Sequence, residues 1–172
     1  NIDKEETKAL LMEVNRAYNT EINDILLSAL AMALNRWAGM DKVLISLEGH
    51  GRESIAKEVD ISRTIGWFTT QFPVVLHMNR PGDLPGTIKY VKETLRGIPN
   101  KGIGYGILRY LTPGKKKQGY DFQLEPEISF NYLGEFQFGR EPHGEFIQMS
   151  RLGPGQSISP EAGREYAIAI NG

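Results

Sequence analysis

Val43-Leu44-Ile45-Ser46-Leu47-Glu48-Gly49-His50-Gly51-Arg52-Glu53 is the stretch on which the reading of this chain turns. Val43 to Glu48 are mostly apolar and partly β-branched, which predicts a short strand. Gly49, His50 and Gly51 break it, because glycine lets the backbone turn sharply and approach a ligand closely. The strand therefore ends on a carboxylate, Glu48, with a histidine held between glycines and an arginine just beyond. Arg52 has the chemistry to hold that carboxylate or a substrate oxygen by a charge-assisted bond. The plainer reading is a polar turn after a strand, since turns are rich in these residue types.

Working outward, Leu10, Leu11 and Val14 share one face of a short helix expected over Glu5 to Arg16. A longer helix follows, with Ile22, Leu26, Leu30, Ala33, Leu34 and Trp37 at helical spacing. Thr20 or Asn23 is expected to cap its start and Gly39 to end it. Past the glycine turn, Gln71 to Met78 reads as a strand and Leu84 to Arg96 as a helix with Ile88, Val91 and Leu95 facing inward. Pro99 to Gly106 reads as a glycine-rich loop, Ile107 to Leu111 as one or two helical turns, and Lys115 to Lys117 as loop. Glu127 to Leu133, Glu145 to Met149 and Arg164 to Ile170 read as further strands. This order predicts an α/β (α+β) two-layer sandwich, a mixed β-sheet packed with helices. The strand order is not legible at this level.

The 172 residues fit one domain or one lobe of a larger one. Hydrophobic residues make up 40% and charged residues 24%, the balance of an ordinary soluble globular protein. A net charge of −1 gives no general attraction to nucleic acid or to an anionic membrane, so neither is expected as a partner. The chain holds no cysteine, which removes disulfides and thiolate metal sites and fits a cytoplasmic setting. No apolar run approaches the length of a membrane span. Both ends read as cut from a longer polypeptide.

Several familiar chemistries lack their signatures. Gly102-Ile103-Gly104-Tyr105-Gly106 does not have the dinucleotide-binding spacing. There is no Walker A lysine motif and no Gly-x-Ser-x-Gly elbow. His50, His77 and His143 are far apart, so no metal site is expected.

Five segments in sequence carry a stronger signal: Asp24-Ile25-Leu26-Leu27-Ser28-Ala29, Glu48 to Glu53, Arg63-Thr64-Ile65-Gly66-Trp67-Phe68-Thr69-Thr70-Gln71-Phe72-Pro73, Pro99 to Gly106, and Phe130-Asn131-Tyr132-Leu133-Gly134. In order and spacing, from about Asn19 to Gly134, they resemble the later motifs of epimerization domains of nonribosomal peptide synthetases. Condensation domains share that fold. Their usual Gly-Phe-Val-Asn segment is here Gly66-Trp67-Phe68-Thr69, and their Gln-Asp-aromatic-Pro-Phe-Glu stretch is absent, so the resemblance favours the epimerization subtype. The family's His-His-x-x-x-Asp-Gly motif is also absent, as expected if it lies in a preceding N-terminal lobe.

The resemblance implies one chloramphenicol-acetyltransferase-like lobe, residues 1–172, with its N-terminal lobe and extreme C-terminus missing. It forms one wall of a tunnel and is inactive alone. The activity implied is inversion of the α-carbon of an aminoacyl or peptidyl thioester. That substrate arrives on the phosphopantetheine arm of a peptidyl carrier protein, with no cofactor bound by this lobe. Neighbouring synthetase domains are the other partners. Such a reaction needs an acid/base group on each face of the carbon and donors for the enolate oxygen. By resemblance Glu48 is the acid/base group here, with Asn131 and Tyr132 also catalytic and Tyr132 the nearer to substrate. Neighbours in a strand face opposite ways, so only one of those two faces the tunnel directly. His50 reads as supporting the turn, and Arg52 as orienting Glu48 or the loop. Trp67, Phe68 and Tyr105 are open between tunnel and core, and Phe72 likewise. Lys115 to Lys117 are open between a solvated loop and a contact with an acidic carrier protein. Two other functions remain open: amide formation between two carrier-bound substrates on the same fold, and a docking module without catalysis.

Overall fold

The computed structural model describes residues 2–54, 58–78, 82–117, 119–134, 152–153, 155–156 and 158–172. The strand expected over Glu145 to Met149, and His143, lie outside them.

The glycine turn follows β1 (Lys42–Gly49), the centre of a four-stranded sheet ordered β2-β1-β3-β4, with β2 spanning Thr70–His77, β3 Ile128–Asn131 and β4 Ile168–Asn171. β2 runs antiparallel to β1, whereas β1, β3 and β4 run parallel, so the sheet is mixed as expected. β2 is an edge strand among the described residues, which suits Pro73, a residue with no N–H to give a second neighbour.

Alternation along these strands sorts the sheet into two chemically distinct faces. Ile45 and Leu47 of β1, Phe72, Val74 and Leu76 of β2, and Ile128 and Phe130 of β3 are buried together. Against them pack α3 (Ile22–Ala38), through Leu27, Ala31 and Leu34, and α4 (Leu84–Arg96), through Val91. This helix layer on one sheet face is the expected two-layer arrangement. Ser46, Glu48, Gln71, Ser129 and Asn131 occupy the alternate positions and form a polar face.

Several local expectations need correction. The first helix is two: α1 (Lys4–Met12), closed by a capping box between Asp3 and Glu6, and α2 (Val14–Tyr18), separated at Glu13. α3 is capped by Glu21, whose N–H donates to Asp24 Oδ2 at 2.8 Å, rather than by Thr20 or Asn23. Its buried line is Asp24, Leu27, Ser28, Ala31 and Leu34, while Trp37 is 73% exposed. Small Ser28 and Ala31 let α3 approach the sheet, and the larger Leu26 and Leu30 flank that line. Pro99 to Gly106 is wound rather than loop: a 3₁₀ turn over Pro99–Gly102 leads into α5 (Ile103–Gly106). Ile107–Leu111 continues as a wide helical turn, and Gly114–Lys117 is another 3₁₀ turn.

Candidate functional site

Glu48 is the last polar-face residue of β1 before the glycine turn, opposite Gln71 of β2. Gln71 Nε2 donates to its Oε1 at 3.2 Å, and Asn131 Nδ2, from β3 on the other side, donates to its Oε2 at 2.9 Å. Two strands thus grip the carboxylate, one amide per oxygen. Each oxygen keeps a second lone pair for another partner.

The carboxylate borders a groove of about 910 Å³, whose walls include Trp67, Phe68, Tyr105, Arg109 and Tyr166. Trp67 stands 92% exposed at its edge, Phe68 is half-buried, and Phe72 is buried in the core. Of the three aromatics in that segment, only Phe72 has a core fate. Tyr105 is half-buried, its hydroxyl accepting from Arg109 Nη1 at 3.3 Å.

Gly51 makes the turn possible. Its φ is +65°, and a Cβ there would run into the Phe68 carbonyl. The close approach delivers Arg52 beneath the loop ahead of β2. Its guanidinium donates to the carbonyls of Ile61 (2.8 Å), Thr64 (3.0 Å) and Gly66 (3.4 Å) and stacks 4.2 Å from the Phe68 ring centroid. Of the two roles open to Arg52, the structure puts it on the loop. Arg52→Lys keeps the charge but loses the planar fork that reaches several carbonyls. The variant is expected to be cut severalfold faster by protease in residues 58–67, with little change in the global melting temperature.

His50 is not among the residues that line the groove. Its exposed ring accepts the Arg52 N–H on Nδ1 at 3.0 Å, and Glu53 Oε2 lies 3.2 Å from the same nitrogen. Tyr132, next to Asn131, turns to the apolar face and packs on the core. So Glu48 and Asn131 come together, and Tyr132 does not join them. Lys115 and Lys116 are exposed, while Lys117 is half-buried and donates to the Arg109 carbonyl.

Two polar-face groups escaped the sequence reading besides Gln71. Ser46, two residues before Glu48, is buried, and its Oγ accepts the Tyr166 phenol O–H at 3.2 Å. Burial, together with the Glu165 and Glu48 carboxylates, pushes the Tyr166 hydroxyl above the ordinary tyrosine range despite the opposing effect of the Ser46 bond. It is therefore a protonated donor at neutral pH. Strand alternation from Glu48 would have found Ser46, but nothing local in the sequence couples Tyr166 to it.

Among the described residues no three His, Asp or Glu side chains converge to hold a metal ion. No described helix is long and apolar enough to cross a membrane.

A family model for the condensation domain matches residues 1–172. Gramicidin S synthase 1 of Brevibacillus brevis is 51% identical over 177 residues, covering 98% of this chain and 16% of that protein. Surfactin synthase subunit 1 of Bacillus subtilis (strain 168) is 48% identical over 168 residues, covering 98% of this chain and 5% of that protein. The crystal structure of the epimerization domain from the third module of tyrocidine synthetase B superposes with a TM-score of 0.87 at 49% identity, covering 99% of this chain and 38% of that one. The first condensation domain of the CDA synthetase shares the fold, with a TM-score of 0.53 at 19% identity over 77% of this chain. The chain thus spans well under two thirds of each of these relatives.

Proposed function

The chain belongs to the condensation-domain family, and from that premise we propose that it is the C-terminal lobe of an epimerization domain. It works on an aminoacyl or peptidyl thioester held by a peptidyl carrier protein and inverts the α-carbon from L to D. The observation that carries this reading is the Glu48 carboxylate, gripped by amides from two strands at the edge of an open groove. Support also comes from the 49% identity to an epimerization domain, against 19% to a condensation domain.

The chemistry needs little more than correctly placed proton donors and acceptors. A base removes the α-proton, the electron pair moves into the thioester carbonyl as an enolate, and an acid returns a proton to the opposite face. Glu48 serves one face of the carbon. The second acid/base group belongs to the other lobe of the same domain, across the groove. Asn131 and Gln71 hold the carboxylate so that its free lone pairs aim outward. A fixed geometry of this kind removes the orientational cost of the proton transfer.

The test presents the full-length protein with a carrier loaded with a single L-amino acid, then releases the amino acid and separates its enantiomers. Accumulation of D-amino acid supports the proposal. A second reading, amide formation between two carriers, predicts instead a dipeptidyl thioester with no D-residue when both carriers are supplied, and that outcome overturns the proposal.

A further inference from the structure

We propose that Tyr166 is the oxygen-binding residue of this groove, its phenol hydroxyl donating to the thioester carbonyl and to the enolate that forms from it. This inference rests on the epimerization reading and assigns a part of the reaction that Glu48 does not perform. An enolate needs a donor for its oxygen as well as a base for the α-proton.

Position argues for Tyr166. Ser46 and Glu48 are alternate residues on one face of β1, hence about 6.6 Å apart along the strand. The Tyr166 hydroxyl is seated on Ser46 Oγ. The base and the residue that seats the donor therefore sit one strand repeat apart on the same polar face. With a reach of about 3 Å at each end, that spacing brackets an α-carbon and its adjacent carbonyl oxygen. Tyr166 also borders the same groove as Glu48.

Chemistry argues for it as well. The phenol and the Ser46 hydroxyl can each donate or accept. When a carbonyl oxygen arrives, Ser46 turns from acceptor to donor, the phenol oxygen accepts from it, and the Tyr166 proton is free to point at the substrate. No proton is lost from the pair, so the donor is reset after each turnover. The other tyrosines fit the task less well. Tyr132 packs on the apolar face, and Tyr105, which accepts from Arg109 and keeps its own proton, is tied to the helical turn of Arg109 rather than seated on β1 beside Glu48.

Tyr166→Phe removes one hydroxyl and keeps the ring. In the full-length protein with an L-aminoacyl carrier, α-proton exchange at saturating carrier is expected to fall about a hundredfold, the size expected for loss of one such donor. The half-saturating carrier concentration and the melting temperature should stay near those of the parent. Ser46→Ala removes the seat but not the donor and should cost about tenfold or less, and adding it to Tyr166→Phe should cost little more, because the two hydroxyls act as a unit. Exchange by Tyr166→Phe within about twofold of the parent, a range that carries no donor's worth of energy, overturns the assignment if Glu48→Gln is inactive in parallel. So does a loss confined to carrier affinity. If the parent itself shows no exchange, the epimerization reading fails first and this assignment with it.

Discussion

Glu48→Gln is expected to leave the protein folded and to slow α-carbon inversion by about a thousandfold, the middle of the range for loss of a positioned general acid/base. The substitution is nearly isosteric, so the groove keeps its shape. What changes is proton affinity, since an amide neither takes nor gives a proton near neutral pH. Its hydrogen bonding is less well matched. The carboxylate accepts from both Gln71 and Asn131, but an amide offers one oxygen and one NH₂, leaving one donor facing another. At a half-buried site that mismatch costs about 1 kcal/mol. A small drop in melting temperature with near-complete loss of D-product is the expected pair of readings. An unfolded variant would not test the point. Asn131→Ala provides a comparison there, because it leaves the carboxylate and removes only one of its two holders. Rate loss well short of that of Glu48→Gln is expected from it.

Among the described glycines, Gly51→Ala is expected to be the most damaging addition of a single methyl group. Two costs add. The residue sits at φ +65°, where a side chain costs about 1–2 kcal/mol. The new Cβ would also overlap the Phe68 carbonyl, which is backbone and cannot swing aside. Forced overpacking costs about 1–3 kcal/mol more. A loss of about 3 kcal/mol or more is a large part of the stability of a typical domain. Chemical denaturation of the purified protein should show it as a lower midpoint with an unchanged slope. Gly104→Ala makes a clean contrast: a methyl group there would meet no atom within 4 Å, and the φ of Gly104 is not positive, so little change is expected. The same turn that tolerates only glycine sets the end of β1. Gly51→Ala should therefore also disturb Glu48, whose position depends on β1 staying paired with β2 up to Gly49.

The elements legible in the sequence are those whose signals are local. The VLISLE strand and its glycine break are visible because β-branched residues and paired glycines sit side by side. α4 is visible from Ile88, Val91 and Leu95 at helical spacing, and Asp83 caps its start. The division of α1 from α2 is not legible, because Glu13 keeps right-handed dihedrals (φ −109°, ψ −45°) and no proline or glycine marks the gap. Helical spacing puts Trp37 on the buried stripe, yet it is exposed, because the helix presents small residues to the sheet instead.

The site is legible only in part, for a physical reason. Glu48 ends a strand and precedes an unusual turn, so local chemistry singles it out. Its partners come from far along the chain: Gln71 is 23 residues away and Asn131 is 83. Tyr166 lies 120 residues from Ser46. Only the order β2-β1-β3-β4 brings these side chains onto one face, and strand order is a long-range property. The aromatics around Trp67 stay open between tunnel and core in the sequence for a related reason. Aromatic residues ordinarily read as core, but here Arg52 pins the loop by its carbonyls and leaves Trp67 outward, at the groove's edge.

The most direct test of the central claim is deuterium uptake at the α-carbon. The full-length protein is given an L-aminoacyl carrier in heavy water, and the released amino acid is weighed by mass spectrometry. Inversion through Glu48 should give a gain of one deuterium per α-carbon, uptake that outlasts the approach to an L/D mixture, and its loss in Glu48→Gln. A loaded carrier that binds and keeps its α-hydrogen, or uptake undiminished in Glu48→Gln, would contradict it.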